Sequence, residues 1–332
     1  MYGGCGRYRQ VRGTRFAIAA MRSKLLGPDG PPLSVIGFGA WEIGIDASVA
    51  AQEQAIRAIR AGVQAGMNWI DTAEFYGMGL SEHLVARALA DRPDVMVFSK
   101  IWHQLHGGLT PNAVTKGAES TLARIGRDTI DLYIIVEPDP VVPVEETWKA
   151  MAGLVDRGLA RFIGVANFTP DLIQRCEAIR HVDAIQDQCS LLVRDRYDLL
   201  RSHCERYGTA FIAFGPLALG LLAGTADAHH SFSTTSWGRG KKLDELSSYQ
   251  RSLFGPDALP RHLRTVNRLR PVAEGVGIPL AQLALAWVVG RDDFTVAITG
   301  STSPENVVAN AAAGDVELSR QVLDQLAALK AG

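Results

Sequence analysis

A chain of 332 residues, 47% hydrophobic and 21% charged, carries enough apolar material for one large domain or two small ones. Its 34 Lys and Arg against 35 Asp and Glu give a formal net charge of -1, and no basic run or stripe favours nucleic acid or an anionic membrane. The longest apolar run, near Leu283 to Val289, is too short to span a bilayer.

Residues 1–20, MYGGCGRYRQVRGTRFAIAA, mix Gly, Arg and Tyr without a period and lack the pattern of a secretory signal. They read as an extension outside the folded unit. Met21 then opens MRSKLLGPDGPPLSVIGFG, which reads as a short strand, a Pro/Gly turn and a second strand, an N-terminal β-hairpin. The folded domain is expected over residues 21–332.

Eight apolar runs then read as strands: Val35–Phe38, Asn68–Asp71, Val95–Ser99, Leu132–Val136, Phe162–Val165, Ala184–Asp187, Ala210–Phe214 and Thr295–Ile298. Continuous apolar runs suit strands buried on both faces of a parallel sheet. Helical patterns lie between them. Ile56, Ile59 and Val63 recur at spacings of three and four, as do Val114, Ala118, Leu122 and Ile125. Thr110–Pro111, Thr169–Pro170 and Ser303–Pro304 each place a hydroxyl N-cap before a proline, which satisfies and pre-shapes a helix start. Eight βα alternations predict a single-domain (β/α)8 TIM barrel. A doubly wound sheet would want a GxGxxG turn after the first strand, and the glycines at 37, 39 and 44 have the wrong spacing. A long loop, Ala223 to Pro260, follows the seventh strand.

Cys5, Cys176, Cys189 and Cys204 form no CxxC pair, and no His/Cys cluster has zinc-ligand spacing. No metal is expected, and the thiols read as free in a reducing, cytoplasmic compartment.

In such barrels the carboxyl ends of the strands carry the site. Those ends supply Asp71 and Tyr76 in IDTAEFYG, Lys100 in FSK, Asn167 in GVANF, Gln186 in IQDQ and Phe214 in AFGPL. A tyrosine beside an ammonium held by a carboxylate is a sensible proton donor, with the ammonium expected to lower the phenol pKa. Such a donor can protonate an oxygen that becomes negative as hydride reaches carbon.

With those residues in place, GMNWIDTAEFYGMGLSEHLVARAL, VMVFSK, DLYIIVEPDP, GVANF, AFGPLALGLLAG and ITGSTSPENVVAN, in that order, resemble the aldo-keto reductases from about Met21 to the C-terminus. The resemblance implies a nicotinamide cofactor, NADPH with NADH not excluded, extended across the strand ends without a Rossmann domain. It implies Tyr76 as proton donor supported by Asp71 and Lys100. It places Asn167 and Gln186 at the carboxamide and Phe214 on the nicotinamide ring. Gly39, Ala40 and Trp41, and Gly215, Pro216 and Leu217, would also line the cofactor. The segment holding Gly300, Ser301, Thr302, Asn306 and Asn310 would meet its adenosine end, where a helix N-terminus suits phosphate.

The chain departs from that family's pattern. Val136 stands where the family has a histidine that donates to the substrate oxygen, a loss worth roughly two to three orders of magnitude in rate. Glu137 points the other way if the strand continues, so His103 is the leading substitute donor. In the family's steroid 5β-reductases a glutamate replaces that histidine. Ala166 and Gly215 replace common serines, Thr225 a frequent lysine, and GSTSPEN lacks the Arg or Lys that clamps a 2′-phosphate, which Arg239, Lys241 or Lys242 would have to supply. Trp41, Phe75 and Trp102 beside Val136 suggest an apolar pocket for a cyclic or aromatic small molecule. The expected activity is reduction of a carbonyl or conjugated enone. Two alternatives stay open: a redox-neutral enzyme on the same barrel, and a silent cofactor-binding protein like the family's potassium-channel β subunits.

Overall fold

The computed structural model describes residues 21–226, 231–234, 238 and 240–330; the extension expected at residues 1–20 and Arg239 lie outside them. An antiparallel hairpin, β1 (Ser23–Leu25) and β2 (Pro32–Ser34), comes first. Eight parallel strands follow: β3 (Ile36–Gly39), β4 (Trp69–Asp71), β5 (Met96–Ile101), β6 (Ile130–Ile135), β7 (Ala160–Ala166), β8 (Ala184–Gln188), β9 (Ala210–Phe214) and β10 (Thr295–Thr299). They pair in chain order and close into a barrel where β10 meets β3, with Ala297 opposite Ile36. All eight expected strands form.

One boundary has consequences. The strand expected to run to Val136 ends at Ile135, because its pairing with β7 stops at Ile135 and Val165. The Val136 N–H still donates to the Ile101 carbonyl at 3.0 Å. On its other side the Val136 carbonyl takes the Asn167 side-chain amide at 2.8 Å. Val136 therefore caps the ladder rather than belonging to it.

Strand alternation sorts the side chains. Ile70 faces the surrounding helices, while Trp69 joins Phe98, Leu132 and Ile134 inside the barrel. Leu26 and Leu33 of the hairpin close the same inner cluster from below. The Trp69 ring stacks on Phe98 at 5.0 Å and its Nε1 donates to the Ser34 carbonyl at 2.9 Å. Gly37 has to be glycine, since a Cβ there would lie 2.2 Å from the Trp69 ring.

The expected helices cover the barrel. Ile56, Ile59 and Val63 are buried along Val49–Gln64, and Val114, Ala118, Leu122 and Ile125 along Pro111–Ile125. Thr110, Thr169 and Ser303 each accept a backbone N–H of the first helical turn. Cys176, Cys189 and Cys204 are buried and free, and burial pushes the Cys176 and Cys189 thiols up to about 12. The long loop after β9 is corrected in part. Residues Ser248–Phe254 within it form a helix, started by a reciprocal Ser247–Gln250 capping box and anchored by buried Leu253 and Phe254. Among the described residues no single helix is long and apolar enough to cross a membrane.

Candidate active site

The two-residue period that turns Trp69 inward does the same for Asp71, and likewise for Lys100 after Phe98 and Gln186 after Ala184. They meet at the mouth. Lys100 Nζ donates to Asp71 Oδ2 at 2.5 Å, to the Thr72 carbonyl at 2.8 Å and to Tyr76 Oη at 3.3 Å. Gln186 Nε2 donates to Asp71 Oδ1 at 2.8 Å. An ammonium has three N–H donors, and all three are used. The phenol oxygen accepts one of them, which leaves its own O–H to donate elsewhere.

The electrostatics correct one expectation. Burial raises the Tyr76 pKa and outweighs the opposing Lys100 charge, while Asp71 adds to the rise. The phenol is thus held protonated rather than made more acidic. For Lys100 burial pulls the pKa down, but Asp71 and Tyr76 together carry it above the ordinary value. The ammonium stays charged beside the phenol.

Glu74, buried, secures the Tyr76 loop: its Oε1 accepts the Trp102 N–H at 2.9 Å, and His106 Nε2 lies 3.0 Å from both carboxylate oxygens. Neither Glu74 nor His106 stood out in the sequence. Aromatic rings line one side. Phe75 sits 4.7 Å from Tyr76 and 5.2 Å from Trp102. Trp102 Nε1 donates to Glu137 at 2.7 Å, so Glu137 is engaged at the rim. His103 does not join Tyr76. Its Nδ1 is buried without a hydrogen bond, 3.6 Å from Glu137, and its ring lies beyond Trp102 at 6.4 Å.

The cofactor residues expected from the resemblance fall at consecutive strand ends. Ala40 is buried and its N–H donates to the Asp71 carbonyl at 2.8 Å; Gly39 before it is buried, and Trp41 after it half-buried. Asn167, exposed at the end of β7, adopts φ 58°. Phe214 ends β9, and Pro216 and Leu217 follow in a strained turn where Gly215, Ala218, Leu219 and Gly220 all have left-handed φ. Gly300, Thr302 and Asn306 are exposed around the start of Pro304–Ala311, where Ser301 Oγ accepts the Ser303 N–H at 3.1 Å. Asn310 is buried, nearly two turns along that helix and apart from its N-terminus. Lys241 and Lys242 are exposed.

Two departures acquire reasons. Gly215 is occupied territory: Tyr249, arriving from the 248–254 helix, packs edge-on against Phe214 at 5.5 Å and donates to the Gly215 carbonyl at 3.2 Å. A Cβ on Gly215 would lie 2.1 Å from the Tyr249 hydroxyl, and φ is +62°. Thr225 lies between two carbonyls, Gly224 and Ala226, that accept from Arg270 at 2.7 and 2.6 Å. Among the described residues no cluster of His, Cys, Asp or Glu could hold a metal.

Asp71, Lys100, Tyr76 and Gln186 thus converge at the barrel mouth in one hydrogen-bonded cluster. The aldo/keto reductase family model matches residues 35–331, and the chain belongs to that family, whose members are generally NAD(P)H-dependent oxidoreductases. It is 25% identical to a glycerol dehydrogenase of Gluconobacter oxydans, covering 95% of this chain and 96% of that one, with a TM-score of 0.81. A Klebsiella pneumoniae aldo/keto reductase solved with NADP and acetate is 30% identical over 93% of this chain and 95% of its own, TM-score 0.72. A probable voltage-gated potassium channel β subunit of Oryza sativa subsp. japonica is 28% identical over 93% of this chain and 96% of its own.

Proposed function

We propose that this protein reduces a carbonyl or conjugated enone, with the proton supplied by Tyr76 and NADPH as the cofactor. The observation that carries the reading is the committed ammonium: Lys100 spends its donors on Asp71, Thr72 and Tyr76, so the phenol proton is free to go to substrate. When bound, the cofactor supplies hydride to the electrophilic carbon. Tyr76 then protonates the oxygen, and Lys100 stabilises the phenolate left behind.

The mouth suits a nicotinamide cofactor. Phe214 offers a half-buried ring, and Asn167 and Gln186 each donate one amide N–H, to Val136 and Asp71, and keep a carbonyl oxygen for a carboxamide. The N-terminus of Pro304–Ala311, with Ser301 and Ser303 before it, would hold phosphate. Phe75 and Trp102 suit a cyclic or aromatic substrate. We place the protein in the cytoplasm, its three described thiols being free.

Val136 favours a second reading, binding without turnover, because its side chain carries no hydrogen-bond donor where the resemblance places a histidine. Fluorescence titration with NADPH and NADH, followed by turnover with aromatic and α,β-unsaturated carbonyl compounds, separates the two. Tight binding with no turnover of any such compound would favour the second.

A further inference from the structure

Trp102 leaves β5 and opens a single helical turn, His103–His106, which buries none of its own residues and ends at Gly107 with a left-handed φ of 64°. Leu105, inside that turn, is 39% exposed. Apolar burial therefore does not hold the turn down. Among the described residues, its one side-chain hydrogen bond to the rest of the barrel is made by His106, whose Nε2 lies 3.0 Å from both Glu74 oxygens. A carboxylate only accepts, so the His106 ring N–H donates. The Glu74 side chain is 5% exposed and that of His106 20%. Glu74 also grips β5 on both sides of Ile101: its N–H reaches the Lys100 carbonyl at 3.4 Å, and its Oε1 takes the Trp102 N–H at 2.9 Å. Tyr76 stands two residues further on, and Phe75 between them packs on the Trp102 ring. One carboxylate thus joins the loop of the proton donor to the aromatic wall. Glu137 holds the indole only at its Nε1 edge.

We propose that His106 is a specificity-determining positioning residue: through Glu74 it sets the spacing between the Trp102 wall and Tyr76. It thereby separates aromatic substrates, which need that wall, from short aliphatic aldehydes, which do not. It takes no part in proton transfer. The inference rests on the reading above of Phe75 and Trp102 as a wall for cyclic or aromatic substrates.

The test uses the full chain with NADPH, two substrates, benzaldehyde and propanal, and hydrogen exchange at the Trp102 amide. His106→Leu removes the donor, whereas His106→Gln keeps an N–H at similar reach. In His106→Leu the KM for benzaldehyde should rise about five- to tenfold, the worth of one hydrogen bond, while the KM for propanal and the NADPH dissociation constant change by less than about twofold. His106→Gln should bring the benzaldehyde KM back to within about twofold of wild type. The Trp102 amide should exchange about five- to tenfold faster in His106→Leu and at the wild-type rate in His106→Gln. An equal rise in both KM values, no rise, failure of glutamine to rescue, or unchanged exchange at Trp102 overturns the proposal. If wild type reduces neither aldehyde, the aromatic-carbonyl reading falls by itself, and exchange at Trp102 still decides whether His106 sets the wall.

Discussion

The floor and the mouth of this barrel are built from the same strands by opposite rules. At the floor Trp69, Phe98, Leu26 and Leu33 interlock, and every one is fully buried. At the mouth polar groups are buried, several of them without a hydrogen-bond partner, and the backbone is strained. Among the described residues Met78, Asn167, Ala218 and Leu219 are the non-glycine residues with positive φ, and all four lie in loops that leave strand carboxyl ends. Each such conformation costs on the order of 1–3 kcal/mol. The packed end tolerates what the other end needs, a pre-arranged site that would be unfavourable alone.

The comparison breaks most visibly at Tyr76. Tyr76→Phe should lower kcat by about a hundred- to ten-thousand-fold with the cofactor dissociation constant nearly unchanged, since the hydroxyl matters only as charge develops. A kcat equal to wild type would remove Tyr76 from the mechanism. Trp69→Ala should do the converse, costing ~3–5 kcal/mol in denaturant unfolding while the folded fraction keeps its cofactor affinity. Val136→His should raise turnover of simple aldehydes by about tenfold or more if the site otherwise reduces carbonyls. His103→Ala, which touches no group on Tyr76, should change turnover by less than that.

Gly215→Ser meets both a left-handed φ and the Tyr249 hydroxyl, and should cost roughly 2–3 kcal/mol, with part recovered when Tyr249→Ala is added. The smallest effect is expected on the outer flank, at neither end. Burial works against a charged Glu177, but hydrogen bonds from His181, His203 and the Val182 N–H override it and bring its pKa down from 4.5 to about 2. A depressed folded pKa contributes stability above pH 4.5 that is lost as pH falls toward 2. His181 is raised by Glu177 above 6.5, so its share is complete below that pH and lost as pH rises through the folded value. Glu177→Gln should therefore cost roughly 1–2 kcal/mol near pH 5 to 6, and nothing near pH 2, with KM unaltered. An equal loss at all pH values in thermal unfolding would count against the ion pairs.

The barrel was legible because strands buried on both faces leave unbroken apolar runs, and because a hydroxyl before proline announces a helix start. Asp71, Lys100 and Gln186 were legible by their places at strand ends. The direction of the Tyr76 shift was not legible, because burial depends on neighbours such as Phe75 and the 42–44 turn that only folding assembles. Tyr249 was hidden for a similar reason: it sits in a polar stretch and reaches Gly215 across 34 residues of chain.

Lys24 sits in the hairpin that seals the floor, and its ammonium is tied to the Val289, Asp292 and Thr295 carbonyls at 2.7, 2.5 and 2.8 Å. Those partners lie 265 to 271 residues further along. During synthesis the first strand of the folded unit emerges well before its last neighbour exists. At ribosomal rates of about 5–20 residues per second, that interval lasts on the order of ten to fifty seconds. Leu26 and Leu33 meet Trp69 and Phe98 early in it, but lack Val296 and Ile298 of the same inner cluster until it closes. The seal is thus also a timing constraint: closure waits for the chain end, and the floor stays incomplete until β10 arrives.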